Sequence, residues 1–134
     1  MNLKLAVVIR KDLKLENMIG RFAAQVAHIS SMAMSECILK MVDDAETTPP
    51  EELRAWLLSP YLYIYEVNTR EEMDALIEKG RDNKAKVHTW IDTVPANSLG
   101  GSIEVPVGFS IGPCDSDLVT RILGNLNMYE GKVV

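Results

Sequence analysis

The chain has 134 residues, 47% of them apolar and 25% charged, the size and balance of one globular domain that buries a core without disulfides or a metal. Its net charge of -5 excludes a nucleic-acid binder that is basic all over, while leaving room for a local basic patch. Cys37 and Cys114 form neither a disulfide framework nor a CxxC pair, and the two histidines lack ligand spacing, so the expectation is a cytoplasmic protein with no zinc site.

"LKLAVVIR" (Leu3 to Arg10) is a nearly continuous apolar run, which predicts a strand buried on both faces. The polar stretch "KDLKLENM" follows, with Asn17 as the expected N-cap of a helix from about Met18 to about Met41. Phe22, Val26, Ile29 and Ala33 make one stripe of that helix, and Ala23, Ala27, Ser30 and Met34 the adjacent one. Beyond Arg21, the helix carries no acid or lysine until Glu36. Arg21, Gln25 and His28 share a stripe of their own.

"DDAETTPPEELRAWLLSP" predicts a loop and a second helix, capped by Thr48, with Pro49 and Pro50 in its first turn and Pro60 at its end. "YLYIYEV" predicts a strand whose Tyr61, Tyr63 and Tyr65 pack beneath a helix, with base stacking as the alternative. "NTREEMDALIEKG" predicts a helix capped by Asn68 or Thr69 and terminated by Gly80. "AKVHTWID" predicts a third strand with His88, Trp90 and Asp92 on one face and Val87, Thr89 and Ile91 on the other. "TVPANSLGGSIEVP" reads as a long turn-rich loop, and "VPVGFSIGP" as a fourth strand broken at Gly112-Pro113. Asp115 or Ser116 caps a last helix, and "NLNMYEG" adds a short extended piece.

The order β-α-α-β-α-β-β-α implies an α/β fold: a single compact domain over 1–134, with a four-stranded mixed sheet covered by helices. Gly20 is the only glycine between the first strand and the helix body, which excludes a Rossmann or P-loop phosphate cradle. No signal-peptide pattern, repeat or bilayer-length apolar run is present, so no membrane association is expected.

"LAVVIRKDLKL", then "GRFAAQVAH", "TWID" and "VGFSIGP", taken together and in this order, resemble the type 2 peptidyl-tRNA hydrolases from Leu3 to about Tyr129. The resemblance implies a small α/β domain, often a homodimer, that hydrolyses the ester between a peptide and the 3' end of tRNA without a metal or other cofactor. By that resemblance, the family's helix lysine falls on Arg21 and its aspartate on Asp92, while its glutamine and histidine are kept as Gln25 and His28. The first of the family's two threonines falls near Ala96, where Asn97 or Ser98 can take its space; the second falls on Val107.

Arginine remains protonated, so Arg21 is no general base but can hold phosphate or stabilise an oxyanion. Asp92 ends a strand, where a carboxylate can orient water or pair with Arg21; the alternative is a turn-initiating aspartate. No acid or serine stands at fixed spacing from His28, so the residues favour a hydrogen-bonded histidine lodged against the sheet, with substrate contact following from the resemblance. Gln25 can serve backbone or substrate equally. Lys14, with Arg10, Lys11 and Arg21, forms a basic group that can meet tRNA phosphates. Cys114 reads as structural. Three readings follow: a peptidyl-tRNA hydrolase-like esterase with Arg21 and Asp92 catalytic; a non-catalytic binding or regulatory relative; and, more distantly, a small-molecule enzyme in the same pocket.

Overall fold

The computed structural model describes residues 2–15, 19–45, 51–95 and 102–129, excluding the side chains of 94, 95 and 102. Strand β1 (Leu3–Arg10) leads through a short 3-10 turn (Lys11–Leu13) to α1 (Ile19–Asp43) and α2 (Glu51–Leu58). Then come β2 (Leu62–Val67), α3 (Arg70–Asp82), β3 (Val87–Pro95), β4 (Ser102–Asp115) and α4 (Ser116–Leu123). The four strands form one mixed sheet in the order β2-β1-β4-β3, with β1 parallel to β2, and β4 antiparallel to both β1 and β3.

The apolar run of β1 is explained by its central place. Leu5, Ala6, Val7, Val8 and Ile9 are all fully buried. Val7 and Ile9 pack with Ile29 of α1, and Leu3 and Leu5 with Ala33 and Trp56. Ala6 and Val8 turn to the other face, against Met73 and Ile77 of α3 and Val119 and Ile122 of α4. The domain is thus three layers, with α1 and α2 on one side and α3 and α4 on the other.

Two glycines are required by close approach. A Cβ at Gly108 would lie 2.2 Å from the Val8 carbonyl oxygen, so β1 and β4 can pair there only with no side chain on β4. The expectation that Gly80 ends α3 is corrected: the helix continues to Asp82, and Gly80 is buried where Val87 of β3 crosses it at 2.8 Å from its would-be Cβ. Its role is helix-to-sheet packing rather than termination.

Other boundaries also shift. β4 does not break at Gly112-Pro113 but continues through it, with a cis peptide bond, to Asp115. The expectation that Asp92 ends its strand, or starts a turn, is corrected: β3 continues to Pro95, with Thr93 to Pro95 pairing with Ser102 to Glu104, so Asp92 sits within the ladder opposite Val105. Thr69 caps α3 and Asp115 caps α4. The tail is extended as expected, with Met128 bridged to Tyr65. Tyr65 packs on the α3/α4 core and accepts a hydrogen bond from Lys4 Nζ at 3.0 Å, while Tyr61 is exposed. The expected caps Asn17 and Thr48, and Pro49 and Pro50, lie outside the described residues.

One irregularity shapes the face of the sheet that α1 covers. Trp90 pairs with Gly108 and Ile91 with Pro106, so Val107 is an extra residue in β4. Strict alternation would place Val107 beside Phe109 in the α3/α4 core. The bulge instead turns it to the α1 side, where it is 3% exposed and packs with Val7, Ile9, Leu15 and Ile29 beside Trp90.

Candidate functional site

Helix α1 crosses the face of β3 in the opposite sense, so ascending positions on one meet descending positions on the other. Gln25 meets Asp92, His28 meets Trp90, and Glu36 meets His88 at Nδ1. The spacing agrees with element geometry. The eleven helical steps from Gln25 to Glu36 rise about 16 Å, and the strand from Asp92 back to His88 spans about 13 Å. Because strand side chains alternate, His88, Trp90 and Asp92 all face the helix.

At the centre lies a short polar chain. Gln25 is buried, and its Nε2 donates to Asp92 Oδ2 at 2.9 Å. Its Oε1 accepts from the Trp90 indole Nε1–H at 2.6 Å. Asp92 Oδ1 accepts the backbone N–H of Thr93 at 2.9 Å, anchoring the carboxylate to its own strand. Each Asp92 oxygen retains further acceptor capacity, enough to hold a water. The His28 ring stacks on the Trp90 indole with centroids 4.7 Å apart and an interplanar angle of 18°.

The expectation for His28 is therefore corrected. It does lie against the sheet, but it is exposed and rests on Trp90 by its ring face rather than through a hydrogen bond. Arg21 stands one turn before Gln25 on α1, exposed, with no ion-pair partner among the described residues. Lys14 is exposed in the left-handed region at φ 54°, its N–H bonded to the Lys11 carbonyl. Two members of the expected basic group are occupied by acids: Arg10 grips Asp12 at 2.9 Å, and Lys11 lies 3.5 Å from Glu66. Ala96, Asn97 and Ser98 lie outside the described residues. Trp90 is the member of this polar chain that sequence reasoning does not single out, although its place two residues before Asp92, with an indole N–H needing an acceptor, is an available signal.

Burial disfavours the thiolate of both cysteines. Burial pushes the Cys114 thiol up to about 11, with Glu52 adding to the effect. Burial likewise raises Cys37. Among the described residues, no group of three or more His, Cys, Asp or Glu could hold a metal ion, and no helix is long and apolar enough to cross a membrane. A cavity of about 650 Å³ lies elsewhere, lined by Asn2, Lys4, Ser59, Tyr61 and Tyr63 and by none of the α1 and β3 residues of this site.

With this geometry in hand, comparison with known proteins is informative. A sequence profile of the family described as Peptidyl-tRNA hydrolase PTH2 matches residues 3–129, nearly the whole chain. Among curated proteins, none matches the chain.

Proposed function

Because the chain belongs to the peptidyl-tRNA hydrolase PTH2 family, we propose that it hydrolyses the ester joining a peptide to the 3' end of tRNA. The observation that carries this reading is the Gln25–Asp92 contact, which brings the α1 stripe over β3 at Asp92. Asp92 orients the attacking water through its free lone pairs. The water oxygen bonds to the ester carbon, the bond to the ribose oxygen breaks, and that oxygen leaves with a proton as the tRNA hydroxyl. Arg21 supplies fixed positive charge to the developing oxyanion or the terminal phosphates. Lys14 adds a phosphate contact, His28 touches substrate at the rim, and Asn97 and Ser98 provide polar groups in place of the family's first threonine.

A second reading is favoured by one observation. Val107, at the position of the family's second threonine by resemblance, is buried and apolar and offers the site no hydroxyl. On that reading, the chain keeps the fold and binds without cleaving. Both readings place the protein in the cytoplasm as a homodimer. The dimer contact is the uncharged outer stripe of α1, Ala24, Ala27 and Ser31, continuing to the exposed Ile38 and Val42.

Hydrolysis of N-acetyl-aminoacyl-tRNA by the wild type, Arg21→Ala and Asp92→Ala separates the readings. Turnover in the wild type and its loss in both variants is expected. No turnover in the wild type refutes the hydrolase reading, and turnover indifferent to both substitutions refutes the residue roles. Sedimentation of the wild type against Ile38→Glu tests the dimer, which the variant is expected to dissociate.

A further inference from the structure

We infer that Trp90 is a positioning residue that acts on Asp92 through the Gln25 side-chain amide. This inference rests on the hydrolase reading above. An indole Nε1–H donates and never accepts, so whatever meets it must present an acceptor. Gln25 meets it with Oε1 at 2.6 Å. The two ends of a glutamine amide are opposite in character, so placing Oε1 at Trp90 places Nε2 at Asp92, where it donates at 2.9 Å.

The reversed amide fails at both ends. Nε2 would then oppose the indole N–H, donor against donor, and Oε1 would oppose a carboxylate oxygen. Gln25 is only 8% exposed, so water has little access to relieve either conflict. Trp90 therefore selects one amide orientation. That orientation supplies the only side-chain donor to Asp92 among the described residues. The carboxylate is held between this donor and the Thr93 N–H, which fixes where its remaining lone pairs point.

Position in the strand makes the arrangement rigid. Trp90 lies opposite the Val107 bulge, its ring packed with the Val7, Ile9 and Val107 cluster on the α1 side. The indole thus joins a packed core to a solvent-facing carboxylate. The His28 stack uses the ring, whereas the link to Asp92 uses only the N–H, so the two roles can be separated by substitution.

The test is a double-mutant cycle with single-turnover and steady-state hydrolysis of N-acetyl-aminoacyl-tRNA. Trp90→Phe keeps a ring for His28 and removes the N–H. Gln25→Met keeps the length and removes the amide. Each is expected to lower kcat about tenfold, as for one lost hydrogen bond in the site, with KM changed less than about twofold. The double variant is expected to be no slower than Gln25→Met alone, because the links act in series. Multiplying losses, or a change confined to KM, overturns the inference.

A second readout does not depend on activity. The indole N–H signal of Trp90 in a nitrogen-15 NMR spectrum is expected to move and to exchange faster with water in Gln25→Met. Trp56, whose Nε1 donates to the Tyr61 carbonyl, serves as the unmoved control. If the wild type is inactive, the hydrolase reading fails, and the NMR result alone decides whether Trp90 holds Gln25. An unmoved Trp90 signal overturns the inference whether or not the protein is an active hydrolase.

Discussion

Replacing Gln25 with glutamate changes one NH₂ to an oxygen, and the structure sets the consequence. The Trp90 Nε1–H still has an acceptor, but the second oxygen of the introduced carboxylate now faces Asp92 Oδ2, where the amide donated at 2.9 Å. Two unit charges at that distance repel by about 6 kcal/mol at an effective dielectric of about 20, and by about 1.4 kcal/mol in bulk water. Asp92 is half-buried, so a loss of about 3 kcal/mol at pH 8 is expected, lowering Tm by roughly 10 °C.

The deficit should depend on pH. In the unfolded variant both carboxyls titrate near pH 4, as ordinary side chains do. In the folded variant, one of the pair keeps its proton to higher pH, because like charges in contact disfavour full ionisation. The stability carried by that proton is fully present below about pH 4 and is lost as pH rises through the raised folded value. Urea unfolding of Gln25→Glu and wild type should therefore show a large gap at pH 8 and a smaller one at pH 5. Adding Asp92→Asn should restore at least half of the loss at pH 8, since the introduced amide can donate to the new carboxylate on α1 and still accept the Thr93 N–H. An equal gap at both pH values, or no gain from the second substitution, would refute the reasoning.

Arg21→Lys is expected to hydrolyse N-acetyl-aminoacyl-tRNA at least as fast as the wild type, because it restores the family's residue and keeps the charge; a loss as deep as that of Arg21→Ala counts against a charge-based role. Gly108→Ala should cost about 3 kcal/mol or more in urea unfolding, its Cβ falling 2.2 Å from the Val8 oxygen, whereas Gly20→Ala, with nothing within 4 Å, should gain about 0.5–1 kcal/mol; similar values for the two would contradict the close β1–β4 approach. Cys114 gives an alkaline signature. Its folded thiol holds its proton to about 11, so its stabilising share is complete below the ordinary value of 9.0 and is lost between the two. The wild type should lose more stability than Cys114→Ala over that window, and parallel curves would count against a buried, protonated thiol.

Much of this architecture is legible in the chain because the signals are local. The apolar run of β1 announces a strand covered on both faces, and the Asn68-Thr69 pair announces the start of α3, with the structure choosing Thr69 as the cap. Alternation along "HTWID" places Trp90 and Asp92 on one face, and helical spacing places Arg21, Gln25 and His28 on one stripe. What alternation cannot supply is the partner opposite each residue. Nothing in "AAQVAH" states that Gln25 is inward and His28 outward, since both belong to the same stripe and only the tilt of α1 over β3 distinguishes them. Gly80 shows the same ambiguity. A glycine near the end of a helical pattern is a terminator by local rules, and only the approach of Val87 reveals it as a packing contact.

The sequence by itself determined the element order, the burial of the first strand on both faces and the family, because these depend on residue periodicity and on motifs that survive in order. The tertiary structure decided which way Val107 and the Gln25 amide face. The first depends on a one-residue bulge between paired strands, which reverses alternation without altering the residues on either side. The second depends on a donor 65 positions along the chain. Both are set by what lies opposite after folding, and that is a property of the register between elements rather than of any segment alone.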